Sequence, residues 1–198
     1  MRRNHGFFYI LPATILAASL FASSPCASGE QQNLAILFTH DLHSYFLPQR
    51  HEQPDGSFAM AGGYARLATL INELRERHRE AVLLLDAGDY TMGTLFHTAF
   101  MTEAWELNLM AEMGYDAVTI GNHEYDFRPD GLAQSLAAAR EHLADPPALV
   151  ASNVVFTADD PRDRALKKEF RAYPVKEYRI IEKEGLRTGI FGILGNNA

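Results

Sequence analysis

Three short apolar runs each end in a cluster of acidic, imidazole and amide side chains. Residues 33–39 run into His40-Asp41-Leu42-His43, 81–85 into Asp86-Ala87-Gly88-Asp89, and 117–120 into Gly121-Asn122-His123-Glu124-Tyr125-Asp126. Short continuous apolar runs bounded by turn residues read as buried strands. Between them lie two stretches of helical period. Leu67, Leu70, Ile71 and Leu74 fall at i, i+3, i+4 and i+7 in a helix expected over 63–79, and Trp105, Leu109 and Met113 stack at four-residue spacing in one expected over 102–113. Strands alternating with helices call for a largely parallel α/β sheet. All strand C-termini then share one edge, where open α/β sheets gather reactive groups. Three polar clusters far apart in sequence are thereby expected at one site.

The rest of the chain gives weaker readings. The segment after the first strand, with Pro48, Pro54 and Gly56, reads as a polar loop. Arg128-Pro129-Asp130 opens a helix to about 143, and 149–155 reads as a fourth strand. Residues 156–172 are polar and charged and read as a loop. Residues 178–182 and 187–194 read as a hairpin turning at Glu184-Gly185, with 191–194 a core strand.

The first thirty residues differ in kind. Arg2 and Arg3, an apolar stretch over 7–22 and small residues over 23–29 have the order of a secretory signal, expected over 1–28, with the folded portion over 31–198. The apolar stretch is short for a membrane span and Pro12 interrupts it. An uncleaved anchor and a lipid on Cys26 are the alternatives; Pro25 before Cys26 disfavours the lipid. The expected location is periplasmic or extracellular. Cys26 is the only cysteine, so no disulfide is expected in the mature chain. No apolar run after residue 30 is long enough to span a membrane. The net charge of −7, with no long basic block, argues against nucleic acid as a partner.

The polar clusters carry metal chemistry. Asp41 and His43 stand two apart, so on an extended chain both point to one side and can grip one cation. Asp89 follows a glycine turn and has two carboxylate oxygens to share between ions, with Asp86 as an alternative ligand. Asn122 offers an amide oxygen. His123 can face substrate while Asp126 orients its ring. Such oxygen and nitrogen donors suit Zn or Mn. Each motif alone has an ordinary reading: a solvated turn, a Gly-Asp turn, a helix-entry turn. His40 reads as structural or solvent-facing, with a metal or substrate role as the alternative; His51, His78 and His142 read as solvated, and His97 allows a substrate contact.

Taken together, LFTHDLHS, GGYARLATLI, LLLDAGDYTMGT and MGYDAVTIGNHEYDF resemble the calcineurin-like metallophosphoesterases. More narrowly they resemble the secreted 5′-nucleotidase, UDP-sugar hydrolase and 2′,3′-cyclic-nucleotide phosphodiesterase family. The resemblance implies an incomplete four-layer α/β/β/α sandwich and two divalent metal ions. It places Asp41 and His43 on the first ion, Asp89 bridging, Asn122 on the second, and His123 with Asp126 in catalysis. The implied reaction is in-line attack of a water oxygen on a phosphate ester, a nucleotide by preference. Two dications about 3.5 Å apart repel by roughly 19 kcal/mol at an effective dielectric of ~20, so a carboxylate between them is required.

The family completes its site with a Gly-His and a Gly-His-x-His motif and usually adds a nucleotide-reading C-terminal domain. Neither occurs within these 198 residues. The expectation is an N-terminal portion of a phosphohydrolase, inactive by itself; the alternative is a non-catalytic secreted remnant. A dinucleotide-binding fold is disfavoured because no G-x-G-x-x-G follows the first strand.

Overall fold

The computed structural model describes residues 33–78, 82–157 and 160–195, so the expected signal segment lies outside the described residues. In chain order the elements are β1 (Ala35–Thr39), β2 (Gln49–Glu52), β3 (Phe58–Ala61), α1 (Tyr64–His78), β4 (Val82–Asp86), α2 (Phe100–Glu103), α3 (Trp105–Met113), β5 (Ala117–Thr119), α4 (Arg128–His142), β6 (Leu149–Val150), α5 (Arg164–Ala172), β7 (Arg179–Lys183) and β8 (Leu186–Ile190). Short 3-10 turns cover Leu95–Ala99 and His123–Tyr125.

The central sheet has the order β1-β4-β5-β6 and every pairing in it is parallel. This is the α/β sheet that the strand–helix alternation requires. Leu84, Val118 and Leu149 of the sheet share one apolar core with Ile71 of α1, Leu107 and Met110 of α3, Leu132 and Leu136 of α4 and Leu166 of α5. Of the expected layers, the described residues supply this helical layer and its sheet. On the opposite face Phe38, Leu85, Thr119, Ile190, Phe191 and Ile193 line an apolar hollow. Phe38 there is 67% exposed.

The structure departs from the sequence reading in five places. The polar loop holds the antiparallel β2–β3 hairpin, whose strands are exposed throughout and so carry no buried alternation. An Asx turn closes it: Asp55 Oδ1 accepts from Ser57 N at 2.9 Å and Ser57 Oγ at 2.6 Å, with Gly56 at φ +80. The helix over 102–113 is broken at Ala104, which is left-handed at φ +46. Asn108 Nδ2 donates to the freed carbonyl of Glu103 at 2.7 Å. The charged stretch expected to be a loop contains α5, which buries Leu166 and Phe170, one turn apart, and points Lys167 and Lys168 away from them. Strand β6 is only two residues long, and 191–194 is no regular strand. That segment is held instead by Ser152 N to Gly192 O at 2.8 Å and Leu194 N to Asn153 Oδ1 at 2.9 Å.

Arg75 of α1 ties the first helix to the end of the third. Its guanidinium donates to Met113 O at 2.7 Å and Gly114 O at 2.8 Å, capping carbonyls that α3 cannot satisfy itself. Arg75→Ala is expected to lower the unfolding free energy by about 1–2 kcal/mol. Urea denaturation followed by circular dichroism checks this; an unchanged midpoint and slope would show that the cap adds nothing.

Candidate metal centre

Parallel pairing sets Thr39 beside Asp86 and Asp86 beside Val118, so the loops leaving β1, β4 and β5 start side by side. The first two loops stay paired beyond the sheet. Asp41 N donates to Gly88 O at 3.0 Å, His43 N to Asp89 O at 3.1 Å and Ser44 N to Tyr90 O at 2.9 Å. This path needs left-handed backbone at Asp41, His43, Ser44 and Asp89, with φ between +48 and +56. That conformation costs a non-glycine residue about 1 kcal/mol or more, and it persists only where the surroundings hold it.

The third loop approaches the second backbone to backbone. A Cβ on Gly88 (φ +94) would lie 2.5 Å from Gly121 N, and one on Gly121 would lie 2.5 Å from Asp89 N. Only glycine fits at either position. Glu124 closes the junction. It is fully buried, and its carboxylate accepts from Asp89 N at 3.0 Å, Thr91 N at 3.0 Å and Gly121 N at 2.6 Å. Burial pushes this carboxyl up to about 7, against the pull of its three N–H donors. Sequence reasoning gave Glu124 no role. The available clue was a third acidic or imidazole group between Asn122 and Asp126, where His123 and Asp126 already sufficed for the expected chemistry.

On this frame the side chains meet in a connected series. His43 Nδ1 lies 3.0 Å from Thr91 O. A carbonyl can only accept, so Nδ1 carries the proton and a neutral ring keeps its lone pair on Nε2. That Nε2 faces Asp41 Oδ1 at 3.4 Å. The other Asp41 oxygen accepts from His40 Nδ1 at 2.6 Å, and this bond is the main cause holding Asp41 below its usual range. His40, read as structural or solvent-facing, is therefore exposed but bonded to Asp41. Asp89 Oδ1 accepts from His123 N at 2.9 Å. The His123 ring stands edge-on to His43, centroids 5.0 Å apart, and its Nδ1 donates to Asp126 Oδ2 at 2.7 Å. That bond is the first cause of a raised His123 pKa. Asn122 is exposed, between Gly121 and His123.

Among the described residues, no group of three or more His, Cys, Asp or Glu side chains is placed to hold a metal ion. The physical reason is visible in the series: Asp41 and His43 form a pair, one oxygen of Asp89 is turned to a backbone N–H, and the remaining donor is an amide. Asp86, the alternative ligand, is turned away. It is 4% exposed and accepts from Thr39 Oγ1 at 2.6 Å and Gly88 N at 2.9 Å, serving the strand end. His51 and His78 are exposed on β2 and at the end of α1, and His142 bonds Glu103 O at 3.3 Å. His97 bonds Thr94 O and lies 6.0 Å from the Phe127 ring.

The family described as calcineurin-like phosphoesterase matches residues 34–186. The chain is 32% identical over 184 residues to the snake venom 5′-nucleotidase of Gloydius brevicauda, covering 90% of this chain and 28% of that protein. It is 42% identical over 107 residues to the 5′-nucleotidase of Bos taurus, covering 52% of this chain and 18% of that one. The crystal structure of a 5′-nucleotidase precursor from Thermus thermophilus superposes with a TM-score of 0.65 at 28% identity, covering 81% of this chain and 28% of that chain. The chain thus spans less than a third of the length of each of these proteins.

Burial pushes the Asp86 carboxyl up to about 6. A carboxyl whose folded pKa exceeds its unfolded value binds its proton more tightly when folded. Its contribution is full below about pH 4 and is lost as pH rises toward 6. Asp86→Asn is expected to flatten the loss of stability between pH 4 and 7 by on the order of 2–3 kcal/mol. Urea unfolding of both proteins at the two pH values measures it; parallel pH profiles would rule out this titration.

Proposed function

The chain belongs to the calcineurin-like phosphoesterase family, and from that premise we propose that it serves metal-dependent hydrolysis of phosphate esters, nucleotides by preference. The observation that carries the reading is the His43–Asp41 pair. With its Nδ1 bonded to Thr91 O, the ring turns Nε2 toward Asp41 Oδ1 at 3.4 Å, so a cation can take the place between two bases that a proton would otherwise occupy. That donor set fits a divalent cation.

Asp41, His43, Asp89 and Asn122 would hold two such ions, with Asp89 shared. When bound, they supply Lewis-acid activation of water and neutralise charge on the phosphoryl group. His123, its Nδ1 proton held by Asp126, would use Nε2 to bind a phosphoryl oxygen or protonate the leaving oxygen. Asp126 sets the ring's direction and stabilises its cationic form. Nucleotide preference is supported by the matched 5′-nucleotidases. Export to the periplasm or outside is supported by the order of residues 1–28 and by a relative that is a venom protein. Among the described residues no helix is long and apolar enough to cross a membrane.

A second reading has its own support, since the described residues contain no grouped trio of ionisable ligands. On that reading the chain is a non-catalytic secreted remnant that holds metal weakly. Phosphate release from AMP with Mn²⁺, assayed with the family's Gly-His and Gly-His-x-His motifs supplied in the same polypeptide, separates the two: release that depends on Mn²⁺ supports the hydrolase, and its absence supports the remnant.

In a polypeptide that also supplies those two histidine motifs, Asp89→Ala is expected to lose bound Mn²⁺ by elemental analysis after gel filtration; full retention would overturn its bridging role. In the same polypeptide His123→Ala is expected to keep the metal and to slow phosphate release by about 10²-fold or more. A drop in metal content with unchanged turnover per ion would refute that division of labour.

A further inference from the structure

Ser44 and Thr91, next to or bonded to His43, have every polar group engaged. Ser44 N donates to Tyr90 O at 2.9 Å, its Oγ donates to Glu106 Oε1 at 2.6 Å, and its carbonyl accepts from Thr94 Oγ1 at 2.7 Å. Thr91 N donates to Glu124 Oε1 at 3.0 Å, its carbonyl accepts from His43 Nδ1 at 3.0 Å, and its hydroxyl makes a long 3.4 Å bond to Glu106 Oε1. Ser44, Thr91 and Glu106 are all buried, at 1% exposure or less. One oxygen of Glu106 thus joins the first loop and the second to α3.

The other oxygen of Glu106 is the informative one. Oε2 is buried with no hydrogen-bond partner among the described residues. A buried polar oxygen left unpaired opposes folding, a cost that Glu106 carries beside its bonds to Ser44 and Thr91. Buried polar groups of this kind call for an explanation other than packing. The loop they brace supplies one. His43 and Ser44 are both left-handed, at φ +48 and +52, and such backbone must be held from outside.

We infer that Glu106 is a positioning residue for His43, acting through Ser44 and Thr91 to fix the imidazole's tautomer and the direction of its Nε2 toward Asp41. It touches neither substrate nor ion. The inference rests on the metal-binding reading above for its purpose, but the tautomer claim can be measured without metal.

The test compares wild type, Glu106→Gln, Glu106→Met and Ser44→Ala in the full chain, labelled with ¹⁵N-histidine and metal-free. Long-range proton–nitrogen spectra report which His43 nitrogen carries the proton. Wild type and Glu106→Gln, which keeps the oxygen that Ser44 needs, are expected to show one Nδ1-protonated form. Glu106→Met and Ser44→Ala are expected to show mixed tautomers. Titration calorimetry with Mn²⁺ is expected to show about tenfold weaker binding for those two variants, the usual scale for losing a partner that orients a ligand. A single Nδ1-protonated form in both Glu106→Met and Ser44→Ala would overturn the inference. If Glu106→Met fails to fold, Ser44→Ala decides alone, since it removes the same bond from the loop end of the linkage without altering α3. Wild type that binds no Mn²⁺ would count against the proposed function and leave the tautomer result to judge this claim.

Discussion

The register that aligns Thr39 with Asp86, and Asp86 with Val118, determines where three loops begin. Because the strands are parallel and neighbours in the sheet, the chain must leave each of them at the same edge. Loops that start side by side can then bond to one another rather than to water. The hydrogen bonds from Asp41, His43 and Ser44 to the loop after β4 continue the sheet's pairing for three more steps, through backbone that no regular strand would adopt. The rest of the site depends on this extension. Without it, His43 would lose the backbone bonds that set it beside Thr91.

Acidic groups divide into two kinds around this edge. Glu124, Asp86 and Glu106 are buried, and each directs its bonded oxygens to backbone N–H groups or hydroxyls of a neighbouring loop or strand end. Burial raises all three, because an anion loses its water there. Asp41 and Asp126 retain solvent and face imidazoles instead. The buried set keeps loops in place, and the solvated set remains available to a charged visitor. The same residue type thus serves as brace or as reagent according to how much solvent it retains.

Sequence made the sheet legible because buried parallel strands are continuous apolar runs, and the helices legible where one face alone was apolar. It made the loop residues legible only in part. Asp41, His43, Asp89, His123 and Asp126 stand out by chemistry and by lying just past a strand. Glu124 and Ser44 do not, since their importance lies in backbone groups 35 or 46 residues away that no local pattern records. The same reason hid α5, where Leu166 and Phe170 are sparse among charges and gain meaning only from the core they meet. The β2–β3 hairpin was hidden for the opposite reason: both strands face solvent, so burial left no mark on them.

Back-to-back packing of Gly88 on Gly121 has a consequence for how such a site can change over generations. The obstacle at Gly88 is the other loop's main chain, and at Gly121 it is the main-chain nitrogen of Asp89 together with its carboxylate; no compensating substitution can shrink the main-chain part. The two positions are therefore locked jointly, and drift cannot retune the spacing of these loops by small steps there. Variation has to enter at solvent-facing neighbours such as His40, whose side chain can be exchanged without moving a strand. Diversity among proteins built on this frame should accordingly collect at the rim of the edge, while its seam stays invariant.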